Sequence, residues 1–492
     1  MIRANYQLYP MGMIHMKKTA VTLSVLTLTL CALNARAESL RDIYELALEN
    51  DAQLKAEEAV YLARRETEVL GRSQLLPQVN SAYSYENTDT DVDGTTSLPG
   101  VPDFDTKSNT DVDTDGYILS LNQAIFDLPA WFTFQSGKEV TKEAEATFAA
   151  NQQNLIVRTV EAYLLVLRAQ DNLAASRAQE RAFERQLEQT QQRFEVGLIA
   201  ITDVYEAQAA RDLSQVERIV DENNVKVALE RLSVLTGQRH HTLDILREDF
   251  EIRPPDPLDR AAWVDFALAN NFELEASKYR EEAARQSAKA NQMEHAPRVS
   301  GGYSYSDFET DGSRSVNPDS GFVSPPDQDT EQHAWEIRVD LPLYSGGAIS
   351  ANRRAAAQEF NAAREERINL TRNTVTNTRS LHMTVISDVS RIAARKQSIV
   401  SSKSSLDATQ AGYEVGTRNV VDVLNAQNTL FSAERDYANS RYDYILNMMR
   451  LKEQAGLLSP EDIIRLDASL ETPPPPTASA ATEPGSSGTA TR

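Results

Sequence analysis

The sequence predicts an α+β membrane protein: four transmembrane strands per chain join an oligomeric barrel, and long packed helices continue it as a tube. Three observations carry this. Gly and Pro number only 19 each in 492 residues, which favours long uninterrupted helices over an all-β fold. The chain is written twice, at an offset of about 220 residues, so one structural unit recurs. Its strand-like segments carry one apolar and one charged face, which suits a sheet standing between lipid and water.

The repeat sets the order of elements. Ala47, Leu48, Asn50 and Leu54 return as Ala267, Leu268, Asn270 and Leu274, and "PQVNSAYSY" returns as "PRVSGGYSY". "FEVGLIAITDVYEAQ" (Phe194–Gln208) returns as "YEVGTRNVVDVLNAQ" (Tyr413–Gln427), and Gly237 as Gly456. This divides the chain into 38–257 and 258–470, joined near "RPPDPLDR". The last stretch, 471–492, is rich in Pro, Ala, Ser and Thr and reads as a disordered tail.

Each unit opens with one helix, over 39–75 and 258–296, ended by Pro77 or Pro297. The period then becomes two. In "WEIRVDLPL", Trp335, Ile337, Val339, Leu341 and Leu343 share one face, and Glu336, Arg338 and Asp340 the other. "GYILSLNQAIF" and the two "YSY" segments are shorter and less strict. The acidic segments between the strands, 86–115 and 306–333, are expected as extracellular loops. A long helix follows, over 129–196 and 347–415 without internal proline. At 1.5 Å per residue it would run about 100 Å. Stripes such as Ile156, Val160, Tyr163, Leu167 and Val385, Val389, Ile392 have the spacing of side-by-side helix packing. Gly197 or Gly416 then reverses the chain into a helix of about 36 residues. Four strands cannot close, and an open edge in lipid strands backbone groups, so several chains must share one barrel.

The N-terminus reads as a signal peptide over 1–37: Lys17 and Lys18, an apolar stretch, then Ala35-Arg36-Ala37. Large Leu30 before Cys31 argues against a lipoprotein site, and without Cys31 the mature chain has no cysteine to bridge or to hold a metal. Formal net charge is −22, and losing the four cations of the leader takes it to about −26. That acidity excludes nucleic acid as a partner.

Together these features resemble the TolC family of outer-membrane efflux proteins. The most specific stretches are "QQRFEVGLIAITDV", "SSLDATQAGYEVGTRNVVDVLNAQ" and "LPLYSGGAISANRRAA". The resemblance implies a homotrimer with a 12-stranded barrel in outer-membrane lipid and an α-helical periplasmic tunnel. An equatorial belt would use the segments after Gly237 and Gly456. It also implies an exit duct for drugs or for proteins of type I secretion. Its partners would be a periplasmic membrane-fusion adaptor and an inner-membrane RND, ABC or MFS pump, with no cofactor. The tip turns at Gly197 and Gly416 would then be a gate. By the family's pattern Tyr413 and Arg418 match linking residues of the inner helix pair, and Thr202 and Asp203 their partners on the outer pair. Asp422 matches an aspartate ring at the pore; the second ring of the family is Asn425 here, so the constriction keeps one acidic ring.

Other motifs read as ordinary. "DTDVDG" and "DVDTDG" begin like calcium loops, but their twelfth positions are Gly100 and Asn122. "YSGGAIS" lacks the lysine of a phosphate loop. His240 and His241 read as surface residues, and Tyr83, Tyr85, Tyr303, Tyr305 and Trp335 as membrane-interface aromatics or as filling of the barrel wall. No triad or metal cluster has persuasive spacing, so no enzyme is expected. A periplasmic coiled-coil structural or adaptor protein is the alternative, though it leaves the repeat and the amphipathic strands unexplained.

Overall fold

The computed structural model describes residues 37–97, 99–100, 102–316, 322–324 and 327–473. The expected leader, apart from Ala37, and residues 474–492 of the expected tail lie outside the described residues. The first half runs α1 (Leu40–Asn50), α2 (Ala52–Ser73), β1 (Gln78–Thr96), β2 (Phe104–Phe126), α3 (Leu128–Glu195), α4 (Ile201–Thr236) and β3 (Ile245–Leu246). The second half runs α5 (Arg260–Asn270), α6 (Phe272–Gln292), β4 (Arg298–Val316), β5 (Phe322–Ser324), β6 (Gln328–Asp340), α7 (Ala348–Glu414) and α8 (Val420–Gln454). It closes with α9 (Pro460–Asp467) and β7 (Leu470–Glu471). Apart from the short β5 and α9, the second half repeats the order of the first.

The opening helix of each half is not continuous, contrary to the sequence expectation. It breaks at Asp51 and at Asn271, both in extended backbone. The Asp51 carboxylate accepts from the amides of Gln53 and Leu54, and Arg158 holds it at 2.6 Å. Asn271 accepts from the Leu274 amide and donates to the Gln454 carbonyl. Each break is a side-chain cap, and the apolar period runs through it undisturbed, which is why the pattern does not reveal it.

The long helices α3 and α7, of 68 and 67 residues, span about 100 Å. α3 packs on α2 and α6 nearer the strands and on α4 and α8 beyond them. Where α2 meets α3 the backbones touch: a Cβ on Gly71 would lie 2.9 Å from Phe134 Cα, and one on Gly137 2.7 Å from the Thr67 carbonyl oxygen. Midway along, Leu40, Ile43, Leu155, Val160, Tyr163, Leu232, Leu243, Leu451 and Ile463 form the main core. There β3 pairs with β7, so Glu471, the first residue of the expected tail, is anchored. His240, expected at the surface, is buried between Thr236 and Glu38; only His241 is exposed.

The strands are longer than expected. β1 pairs with β2 from Gln78↔Asn122 to Thr96↔Phe104, so most of the expected 86–115 loop is hairpin. β4 pairs with β2 and β6 likewise, through most of the second expected loop. Nineteen residues of β1 extend about 63 Å, whereas a bilayer takes roughly ten residues. The sheet order is β1–β2–β4–β6, with β5 also on β4, and among the described residues the outer sides of β1 and β6 are unpaired.

Register sorts the two faces. Val79, Tyr83, Tyr85, Tyr117, Leu119, Leu121, Tyr303, Tyr305, Trp335, Ile337 and Val339 share one; Asn80, Ser120, Asn122, Ser304, Glu336 and Arg338 share the other. Trp335 and Ile337 are 81% and 78% exposed, and an apolar sheet face of this size requires an apolar surrounding. Its upper limit is aromatic: Tyr303 meets Trp335 and Tyr117 meets Tyr305 in tilted ring contacts. The hydroxyls of Tyr83 and Tyr305 donate to Asp115 and Glu331 at 3.0 and 3.1 Å. Rings against lipid and hydroxyls on acids just beyond are how an interface belt is built. No described helix is long and apolar enough to cross a membrane.

Candidate functional site

The ends of α3 and α7 farthest from the strands carry the two predicted turns. Gly197 and Gly416 take φ of +75° and +78°, a left-handed conformation that glycine enters without a Cβ clash. The amide of Leu198 reaches back to the Arg193 carbonyl, and that of Thr417 to the Gly412 carbonyl. Beyond this the copies diverge. Asn419 caps α8 by accepting from the Asp422 amide at 2.8 Å, and Asp422 returns the bond in a capping box. α4 begins at Ala200, which has no side-chain cap.

The predicted constriction residues fall on one face. On α8, Val420, Val423, Leu424 and Gln427 are buried, while Asp422 is part-exposed and Asn425 exposed. Arg418 lies along its own turn, 3.8 Å from Asp422. Thr202 and Asp203 meet each other at 3.5 Å on the outer lip.

Within a single chain the inner-pair and outer-pair residues are not joined. Neither Tyr413 nor Arg418 reaches Asp203; the Tyr413 hydroxyl is buried without a hydrogen-bond partner. The reason is packing. Tyr413 is drawn into a small core with Phe183, Val420, Val423 and Leu424, which holds its ring between the helix pairs. Arg193 of α3 covers that ring, its guanidinium carbon 4.6 Å from the centroid. Alongside lies a cavity of about 570 Å³ lined by Gln186, Gln189, Gln192, Gln410 and Glu414. Arg193 was not among the sequence candidates. The signal lay in the repeat: Arg193 aligns with Gly412, and a Cβ at Gly412 would meet Arg418 Cγ at 2.8 Å. One copy carries its arginine before the turn and the other after it.

The model of the family described as outer membrane efflux protein matches the chain twice, over residues 43–238 and 263–457. The chain belongs to the outer membrane efflux protein family. Outer membrane protein TolC of Vibrio cholerae serotype O1 is 33% identical over 439 residues, covering 88% of this chain and 94% of that one. Alkaline protease secretion protein AprF of Pseudomonas aeruginosa is 31% identical over 432 residues, covering 87% of each. The solved structure of VceC from Vibrio cholerae superposes with a TM-score of 0.69 at 17% identity, over 85% of this chain and 96% of that one. An outer membrane efflux protein needs a lipid-facing sheet, and the Trp335, Ile337, Val339 face supplies it. The chain is an outer-membrane channel protein, and its helices extend from the membrane toward the turns. Among the described residues no cluster of acidic, His or Cys groups could hold a metal ion.

Proposed function

We propose that three copies of this chain form one outer-membrane channel-tunnel that serves as an exit duct for drugs, secreted proteins or both. It is closed at the turn end by α7 and α8, and opened by a periplasmic adaptor with an RND, ABC or MFS inner-membrane pump. The observation that carries this reading is the open sheet: an apolar face, a polar face and two unpaired edges, continued by 100 Å helices. The efflux description of the family and the protease-secretion name of one relative favour both kinds of cargo.

At the tip, three Asp422 side chains would ring the pore, with Asn425 one turn deeper. Carboxylates at several ångströms repel by on the order of 1 kcal/mol per pair, so closure needs compensating links. Arg418 is exposed and free to leave Asp422, and Thr202 and Asp203 lie open at the outer lip. Their pairing between neighbouring copies is a charge-assisted latch. In a planar bilayer, Arg418→Ser raises single-channel conductance; an unchanged conductance removes Arg418 from the latch. Fractionation of cells tests the frame, since the duct sediments with outer membrane as a heat-labile trimer and a periplasmic spacer does not.

A further inference from the structure

We propose that Arg193 is the residue through which the outer helix pair holds the inner pair shut, by stacking on the ring of Tyr413; this rests on the gate reading above. Arg193 stands on α3 and Tyr413 on α7, 220 residues apart, at the end of the helices where the turns reverse the chain. The guanidinium lies over the ring at 4.6 Å, and Nη1 donates to the Tyr413 carbonyl at 3.5 Å. The planar, weakly hydrated guanidinium suits this double contact to ring and carbonyl.

Two further observations show that the ring, and not the hydroxyl, bears the tie. Tyr413 is 8% exposed, and its hydroxyl has no partner. The glutamine-lined cavity beside it is lined from both α3 and α7, with Arg193 and Tyr413 among its walls, so Arg193 spans a polar gap between the two pairs. A buried unpaired hydroxyl is unfavourable, which indicates that the ring is held there by what packs on its faces. The repeat adds asymmetry: at the equivalent position the inner pair has Gly412, which leaves room for Arg418. Before the turn, therefore, only the outer pair carries an arginine.

The test uses the full-length protein in planar bilayers. Arg193→Gln raises single-channel conductance several-fold, and Arg193→Lys, which keeps a cation without the planar fork, lies between it and wild type. Tyr413→Phe stays at the wild-type conductance, because the ring remains; Tyr413→Leu opens as far as Arg193→Gln, and the double variant goes no further. Spin labels at Gln189→Cys and Gln410→Cys report the gap directly, and their separation grows in Arg193→Gln. A wild-type conductance and separation in Arg193→Gln overturns the proposal, as does a Tyr413→Phe channel as open as Arg193→Gln. If Arg193→Gln does not assemble into trimers, Arg193→Lys decides on the same two readouts. Asp422→Asn separates the levels of failure. Altered trivalent-cation block in that variant, with Arg193→Gln silent, removes the latch and leaves the gate; silence in both removes the gate as well.

Discussion

Asp422 has two roles at one position. Its carboxylate accepts from the Asn419 amide to complete the cap of α8, and it presents charge on the open face that Asn425 shares. The cap fixes where the charge stands, so its position is set by the backbone. With Asn425 one turn on, the face carries one charge per chain where a second carboxylate would double it. Asn425→Asp therefore strengthens block by trivalent cations, by about tenfold for each ~1.4 kcal/mol of added attraction; equal block in both proteins would show that this face does not line the pore. Asp51 is another residue of double duty, capping α2 and pairing with Arg158 at 2.6 Å. Asp51→Ala removes a cap and leaves Arg158 part-buried without its partner, at about 2–4 kcal/mol. The loss is read as a lower midpoint for thermal dissociation, and Asp51→Asn recovers the cap portion only. Asp51 takes its meaning from a residue 107 positions away, and Arg193, whose partner lies 220 positions off, shows in the sequence only as a mismatch with Gly412 in the repeat.

At the scale of elements, the period changes located helices and strands well, and α3 and α7 begin and end within one residue of the expected bounds. What escaped was the interruption of α1–α2 and α5–α6, since a capped break keeps the apolar stripe in phase. The reach of the hairpins escaped too: Asp, Asn and Thr over 86–115 look like loop chemistry, yet Asn109 bonding Asp91 and Asn87 bonding Asp113 show them paired across strands. Within the main core, α3 and α8 are also tied by polar contacts, among them Tyr442 donating to Asp171 at 2.6 Å. Burial raises the Asp171 pKa above the ordinary carboxylate value, and the Tyr442 bond only partly offsets this. The sign follows: the folded state binds this proton more tightly than the unfolded chain, so the stability it contributes is lost as pH rises from the ordinary carboxylate value through the raised one. Asp171→Asn, which can still accept from Tyr442, removes that loss. Its thermal midpoint exceeds wild type at pH 7 and approaches it at about pH 4; parallel midpoints across that range would show that Asp171 does not titrate there.

For the whole molecule, duplication is the fact most fully legible in the sequence, and it accounts for both cylinder and lip. Two halves of the same order give two long helices joined through the shorter helices packed on both, and the two turns then differ in their caps and in where their charges stand. Assembly follows from the sheet. The unpaired edges of β1 and β6 lie beside an apolar face, and backbone groups in lipid must be bonded, so β1 of one copy pairs with β6 of the next. The mature sequence after the expected leader has no cysteine, which makes this directly measurable. Ala82 on β1 and Gln332, Ala334 and Glu336 on β6 point to the same, polar face by register. Ala82→Cys combined in turn with Gln332→Cys, Ala334→Cys and Glu336→Cys samples three pairings of the two edges. Oxidation of the pair in register yields a covalent ladder that ends at three chains, because a closed ring leaves no edge to extend. A ladder running beyond three would mean a larger ring or an open sheet, and no cross-link from any of the three pairs would mean that these edges do not meet.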